Sequence, residues 1–268
     1  MLLFLILITS AGCLPEQPGV STSLSVHFID VGQGDSILID RGETEILIDG
    51  GEKGSGAADY ISNYVDGALE AMIATHPHDD HIGGLPAVLQ KFEVKEIWLN
   101  GETAASQAYT DLMNSVSAEG ATVHEAERGD SIPVGVLTFS ILNPAQPLTM
   151  DTNNNSIVLS LSYGETDFLF MGDAGKQAES SMLPLLSDIE ILKVGHHGSS
   201  SASSPAFLNI VKPDIAVYMA GVGNTYGHPH QQTIDALKNV GAKIYGTDVN
   251  GTIVITTDGA TCSVQTEK

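Results

Sequence analysis

The chain has 268 residues, 42% of them hydrophobic and 28 of them glycine, which is enough for one sizeable globular domain. Its 33 acidic side chains outnumber 11 basic ones, and the formal net charge at pH 7 is -22. This charge argues against tight, non-specific binding of nucleic acid, because a polyanion is repelled at long range, but it leaves open a substrate held by local groups.

Residues 1–23 are predicted to be an export segment and tether, ahead of a single domain over residues 24–268. An apolar run over residues 2–8 is followed by small residues, which is typical of a signal peptide, and the run is too short to span a bilayer. The next residues, Ser10-Ala11-Gly12-Cys13, resemble the lipobox of bacterial and archaeal lipoproteins. We therefore expect an exported protein, either secreted or held at the cell surface by a lipid on Cys13. Contact with a membrane would come only through that lipid.

The predicted domain opens with three short strands, over residues 24–31, 35–40 and 45–49, separated by glycine-containing turns. This pattern indicates a meander at the start of a sheet. The turn Gly32-Gln33-Gly34 does not indicate a dinucleotide site, because Ile37 occupies the place of the third glycine and a strand follows.

Strand-like and helical segments then alternate along the chain. Apolar runs predict strands over residues 69–74, 96–99, 136–142, 157–162 and 168–171. Apolar residues at three- and four-residue spacing predict helices over residues 82–92, 106–119, 176–186, 204–211 and 231–240. Two runs of strands interleaved with helices indicate an α/β protein with two packed sheets and helices on the outside.

The most distinctive motif is the segment Thr75-His76-Pro77-His78-Asp79-Asp80-His81, which follows the predicted strand over residues 69–74. So many imidazoles and carboxylates in one loop are costly without a cation, which argues against a solvated turn with incidental histidines. His76 and His78 are two apart in an extended segment, so they can face the same side and bind one metal ion. Asp80 and His81, at the turn into the helix, can then bind a second ion.

The pattern His-x-His-x-Asp-His over residues 76–81 is the signature of the metallo-β-lactamase superfamily, and the chain resembles that family. The resemblance implies a four-layer αββα sandwich and a binuclear metal-dependent hydrolase. It also implies that Asp173, which follows the strand-like Phe170-Met171-Gly172, bridges the two ions. His196 and His197 end another strand, and one of them should complete the second site. Position after the strand favours His196, with His197 as the competitor.

Several segments are similar to the hydrolase domain of ComEC, the competence channel for DNA uptake. They cover residues 28–36, the histidine loop, and residues 153–159, 170–173, 191–199 and 224–229. The membrane channel of ComEC has no counterpart in this sequence. The resemblance therefore implies a free-standing, exported version of the hydrolase domain, and a role in DNA uptake does not follow from it directly.

Many enzymes of this family carry a third histidine for the first metal ion, but no histidine lies between His124 and His196 here. His124 itself precedes a predicted hairpin and is interpreted as structural. Residues 153–156 occupy the expected place, so an amide oxygen or a water would finish a harder and weaker site, in which Mn²⁺ competes with Zn²⁺. The candidates, as ligands or as substrate contacts, are Asn153, Asn155 and Ser156.

The predicted catalytic residues are Asp80, Asp173 and His228. Two divalent ions bridged by Asp173 would lower the pKa of a water between them toward neutrality and supply hydroxide to a phosphorus or carbonyl centre. His228, on a glycine-flanked loop, would contact the substrate or protonate the leaving group. On spacing alone, a surface histidine beside Pro229 is the alternative.

The leading functional hypothesis is hydrolysis of a phosphodiester, including nuclease activity, because a cation pair stabilises the added negative charge of that transition state. The acidic charge predicts no stable complex with nucleic acid. The second hypothesis is a carbon-centred hydrolase, such as a lactonase, thioesterase or β-lactamase, whose neutral or cationic substrates suit the acidic surface. The third is a non-enzymatic, metal-binding surface module with a degenerate first site.

Overall fold

The computed structural model describes residues 23–268. The predicted export segment and the lipid on Cys13 therefore lie outside the described residues. Within residues 23–268, none of the helices combines the length and the apolar character needed to cross a bilayer.

The strands of the described chain form two mixed sheets. In chain order they are β1 Leu24–Phe28, β2 Ile37–Asp40, β3 Glu45–Ile48, β4 Leu69–Ala74, β5 Val94–Leu99, β6 Thr122–Glu125, β7 Ser131–Val134, β8 Leu137–Asn143, β9 Val158–Tyr163, β10 Thr166–Phe170, β11 Ile191–Lys193, β12 Ile215–Tyr218, β13 Lys243–Gly246, β14 Ile253–Thr257 and β15 Cys262–Thr266. The first sheet has the order β15-β14-β1-β2-β3-β4-β5-β6, and the second has the order β13-β12-β11-β10-β9-β8-β7. From β3 to β6 and from β10 to β13 neighbouring strands run parallel, whereas the other pairs are antiparallel.

Helices cover the outer face of each sheet. They are α1 Ala57–Ile61, α2 Asp79–Ile82, α3 Leu85–Lys91, α4 Gln107–Glu119, α5 Lys176–Met182, α6 Pro205–Val211, α7 Gln231–Asn239 and α8 Thr247–Asn250. Side chains of α1, α3 and α4 pack on the first sheet, and side chains of α5, α6 and α7 pack on the second. The predicted order of helix, sheet, sheet and helix is therefore confirmed.

The main core lies between the two sheets. Apolar and polar residues alternate along β1, because every second side chain faces this core. Leu24, Val26 and Phe28 are the apolar ones, and all three are fully buried there. Phe139 and Phe168 meet them from the second sheet. Burial of each such side chain contributes about 1.5–3 kcal/mol, so this layer holds the sheets together.

The helix predicted over residues 82–92 is in fact two helices, α2 and α3. Gly83 and Gly84 separate them, and a Cβ on Gly84 would lie 2.0 Å from the carbonyl oxygen of Gly50. Only glycine allows this close approach of the two backbone segments. The N–H of Gly84 donates to the carbonyl of Gly51 at 2.9 Å, outside the helical pattern. The helical turn also starts earlier than predicted, at Asp79.

Candidate metal centre

The predicted ligand segments meet at one edge of the sandwich. The histidine loop follows β4 in the first sheet, whereas Asp173 follows β10 and the paired histidines follow β11 in the second sheet. All three strands end at this edge, and their following loops are free to carry functional side chains. The structure thus brings together side chains that lie more than 100 residues apart in sequence.

A first cluster contains His76, His78 and Asp173. Nε2 of His76 lies 3.0 Å from Nδ1 of His78 and 3.8 Å from Oδ2 of Asp173. His76 and Asp173 are buried, whereas His78 is partly exposed. As the spacing predicted, the two imidazoles face the same side.

A second cluster contains Asp80, His81, Asp173 and His197. Nε2 of His81 lies 3.3 Å from Oδ1 of Asp173 and 3.3 Å from Nε2 of His197. Nε2 of His197 is in turn 3.3 Å from Oδ1 of Asp173 and 3.3 Å from Oδ2 of Asp80. Asp173 therefore directs one carboxylate oxygen toward each cluster.

The paired histidines point to different clusters. His197 faces the second cluster, whereas Nε2 of His196 lies 3.7 Å from Oδ2 of Asp173, on the side of the first cluster. Both residues have left-handed backbone angles, with φ of 49° and 53°, and this turn separates their rings. The geometry favours His197 at the second cluster, which reverses the preference for His196 drawn from its position after the strand.

Buried groups behind the imidazoles fix their orientation. Nδ1 of His81 lies 2.8 Å from Oδ2 of Asp49, a carboxylate that also accepts hydrogen bonds from the backbone N–H and the hydroxyl of Thr75. Among the described residues, the groups behind His76 are hydroxyls, with Oγ1 of Thr75 at 3.1 Å and Oγ of Ser156 at 3.4 Å from Nδ1. The two clusters are therefore supported by different chemistry.

The three candidates from residues 153–156 differ in their contacts. The side-chain oxygen of Asn153 is buried without a hydrogen-bond partner among the described residues, and Asn153 lines a cavity of about 200 Å³ together with His78 and Asp173. Asn155 is engaged elsewhere, because its side chain accepts from Thr149 and donates to Glu102. The hydroxyl of Ser156 accepts from the backbone N–H of Asp173, so it supports the clusters from behind.

His228 lies at the rim of the same cavity. Its ring centroid is 5.6 Å from that of His196 and 6.1 Å from that of His197. Burial, together with the neighbouring His197 and His196, lowers the pKa of His228 to about 4. The ring is then neutral at pH 7, which favours a substrate contact over proton donation. His124 lies apart, with its ring stacked on Trp98 at a centroid distance of 4.3 Å, in agreement with a structural role.

Burial and neighbouring charges have opposing effects on the pKa values of the histidines and the aspartate in the two clusters. Burial, with His81 nearby, holds the pKa of His76 well below its usual range. Burial also disfavours a charged His81, but the carboxylates of Asp173 and Asp49 outweigh it and raise the pKa of His81 well above its usual range. The carboxyl of Asp173 is buried, yet His197 and His81 hold its pKa well below the usual range.

The donor set fits divalent cations. Imidazole nitrogens and carboxylate oxygens converge on each cluster, and Oδ1 of Asp173 is buried without accepting a hydrogen bond from any described residue. A buried, unpaired acceptor is costly, and a cation would satisfy it. Mixed nitrogen and oxygen ligands suit Zn²⁺ and Mn²⁺.

Three buried residues around the clusters were missed in the sequence: Asp35, Asp49 and Lys193. Asp49 directly follows the buried strand β3 and lies beside Gly50-Gly51, much as Asp173 follows β10 and lies beside Gly172. That signal could have identified Asp49. Asp35 and Lys193 lie within the segments similar to ComEC, at residues 28–36 and 191–199, but no role could be assigned to them, because their partners come from distant segments.

Comparison with known proteins agrees with this geometry. A model of the metallo-beta-lactamase superfamily matches residues 29–222, more than half of the chain. ComE operon protein 3 of Bacillus subtilis (strain 168) is 30% identical over 260 residues, covering 88% of this chain and 33% of that protein. Recombination protein 2 of Haemophilus influenzae is 30% identical over 234 residues, covering 85% of this chain and 28% of that protein. The chain thus spans about a third or less of the length of these curated relatives.

Among solved structures, the metallo-beta-lactamase fold protein YhfI from Bacillus subtilis superposes with a TM-score of 0.60. The match covers 88% of this chain and 99% of that chain at 14% sequence identity, which shows a shared fold alone. These matches confirm the resemblance to ComEC-like proteins that the sequence segments predicted. The chain belongs to the metallo-β-lactamase superfamily, in which it resembles the hydrolase domain of the ComEC-like proteins.

Proposed function

We propose that the protein hydrolyses phosphodiesters, with DNA or RNA as a substrate class, by means of two divalent ions. The observation that carries the proposal is the position of Asp173, which directs one oxygen to each of two clusters of imidazoles. Two ions held side by side can stabilise both the attacking and the leaving oxygen of an in-line displacement at phosphorus. The resemblance to ComEC-like proteins supports a nucleic-acid substrate.

In this proposal the chain holds the ions through residues of both sheets. His76, His78 and Asp173 would hold the first ion, with the side-chain oxygen of Asn153 as the added ligand. Asp80, His81, Asp173 and His197 would hold the second. When bound, the ion pair supplies a water of lowered pKa and offsets the charge that develops on the phosphate. Zn²⁺ and Mn²⁺ are the two candidate ions, and the amide oxygen at the first site favours Mn²⁺.

The protein's own side chains would position the substrate. His228 and the exposed Tyr226, whose rings stack at 5.6 Å, line the cavity above the clusters. A second cavity of about 580 Å³ adjoins the first and shares His78, Asp80 and Tyr226 with it. Because this second cavity also contains the carboxylates of Glu52 and Asp79, only a short stretch of a polyanion would be held there. We therefore expect turnover without a stable nucleic-acid complex.

The test compares two histidine variants on a phosphodiester substrate. The purified, metal-loaded protein should cleave bis-p-nitrophenyl phosphate or single-stranded DNA. His78→Ala should lower the rate by about 10³-fold, the equivalent of losing several kcal/mol of charge stabilisation in the transition state. His124→Ala is the matched control, since that ring stacks on Trp98 away from the clusters, and its rate should equal that of the wild type. Equal rates for both variants would contradict the proposal.

A second candidate is hydrolysis at a carbonyl centre. The net charge of -22 and the acidic cavity beside the clusters favour neutral or cationic substrates over polyanions. The same ion pair could deliver water to an acyl group. Turnover of nitrocefin or an acyl-lactone, with no turnover of either phosphodiester, would decide for this candidate.

A further inference from the structure

A lysine is buried directly behind the second cluster. Lys193, on β11, is 1% exposed, and its Nζ lies 2.5 Å from Oδ2 of Asp35 and 3.0 Å from the carbonyl oxygen of Val194. Lysine is almost never fully buried unless it is paired, and removing either charge of a buried pair leaves the other uncompensated. The Lys193–Asp35 pair is therefore costly to form, and an imidazole of the second cluster stands next to it.

The other oxygen of Asp35 faces that imidazole. Oδ1 of Asp35 lies 3.3 Å from Nδ1 of His197, a nitrogen that is also 2.9 Å from the carbonyl oxygen of Met219. On the opposite side of the ring, Nε2 faces Asp173 and Asp80. Met219 fixes the direction of the ring, and Asp35 adds a negative charge behind it. The carbonyl of Met219 and the carboxylate of Asp35 both favour a proton on Nδ1 of His197, which leaves the lone pair of Nε2 free to bind a cation.

The backbone holds Asp35 behind His197. The N–H of Asp35 donates to the carbonyl of Asp80 at 3.2 Å, so the turn that carries Asp35 lies directly on the histidine loop. A Cβ on Gly34 would lie 2.0 Å from that same carbonyl oxygen, and φ of Gly34 is 119°. Only glycine permits this contact. Asp35 is close enough to the second cluster to be considered a ligand, but Lys193 holds its Oδ2, and its Oδ1 faces Nδ1 of His197 and not the Nε2 that points to Asp173.

We propose that Lys193 and Asp35 are a positioning pair that fixes the imidazole of His197 and thereby sets the affinity of the second metal site. The inference rests on the metal centre of the proposed function and not on the reaction that the centre performs. Loss of such support behind a ligand histidine typically weakens metal binding by 10- to 100-fold.

The test removes the charges singly and together. Asp35→Asn and Lys193→Met each leave one buried charge without its partner, so both should lower Tm. The double variant is neutral and similar in volume, and such a replacement of a buried ion pair is often neutral for stability. Its Tm should therefore return close to that of the wild type, while a calorimetric titration with Mn²⁺ or Zn²⁺ shows the second ion bound about 10- to 100-fold more weakly and the first unchanged.

The double variant distinguishes a role in orienting His197 from a role only in the stability of the fold. If it recovers Tm and binds two ions with wild-type affinity, the pair is structural and the proposal is overturned. If it does not fold, Asp35→Asn alone decides the question. Its second ion should bind about 10- to 100-fold more weakly than in the wild type while the first is unchanged, and wild-type affinity at both sites overturns the proposal. A wild-type protein that binds two ions but turns over no substrate would contradict the proposed function and leave this inference intact.

Discussion

The two clusters share Asp173 but differ in what stands behind their imidazoles. In the second cluster, His81 is backed by the carboxylate of Asp49, and His197 by that of Asp35. In the first cluster, His76 is backed by hydroxyls and His78 is partly exposed. An imidazole backed by a carboxylate is a stronger metal ligand than one backed by a hydroxyl. We infer that the second site binds its ion tightly and that the first site, which is open to the cavity, exchanges its ion more readily.

The largest expected effect is that of Asp49→Asn. The amide cannot accept every hydrogen bond that the carboxylate accepts, and an N–H placed against His81 would favour the tautomer with its proton on Nε2, the nitrogen that faces the cluster. Affinity for the second ion should fall by about 10- to 100-fold, as measured by calorimetric titration. Ser156→Ala, which removes a hydroxyl behind His76, is the matched change at the first cluster and should have a smaller effect. A larger effect for Ser156→Ala would reverse the comparison.

The next expected effect concerns pH. Because Asp173 and Asp49 raise the pKa of His81 well above its usual range despite burial, the second ion must compete with a proton on the ring nitrogen that faces the cluster. Affinity for that ion should rise about tenfold per pH unit for each proton displaced, until the pH passes the pKa of His81. His76, whose pKa is lowered, has no such proton to release. Calorimetry in buffers of different ionisation enthalpy measures the protons released, and equal release for both ions would remove this difference between the clusters.

The smallest expected effect is that of Asn153→Ala on the first site. If its side-chain oxygen is a weak ligand, its loss should reduce affinity for the first ion about fivefold, the equivalent of about 1 kcal/mol. Asn153→Asp should strengthen the same site, because a carboxylate is a better ligand for a divalent ion. Elemental analysis after dialysis against a graded chelator series distinguishes the variants. Unchanged retention of the first ion in both would show that Asn153 is no ligand.

The sequence predicted the elements whose pattern is local. The alternating strands at the start of the domain, the helix after Ser106 and the histidine loop were all evident from spacing, and the structure confirms them with shifts of a few residues at their ends. Strands β6, β7 and β12 to β15 were not assigned. Several of them are short and carry exposed or half-buried side chains, so their pairing depends on neighbours far away in sequence.

The candidate ligands could be predicted from the sequence, whereas the buried residues that hold them in place could not. Asp173 and the pair His196 and His197 were found because the family pattern marks them, whereas the left-handed turn that directs the pair to separate clusters leaves no sequence signal. Asp35 and Lys193 meet only after the two sheets have packed together, because one precedes β2 and the other ends β11. A buried ion pair between distant segments cannot be inferred from the spacing of either segment.

The ligand segments of the metal centre come from both sheets, and this has a mechanical consequence. The histidine loop extends from the first sheet, whereas Asp173 and His197 extend from the second, so each bound ion would link the two halves of the sandwich at this edge. Binding to the folded state alone would add about RT ln(1 + [L]/Kd) to the free energy of unfolding. Metal supply would then govern the resistance of the whole domain to heat and proteolysis as well as its chemistry.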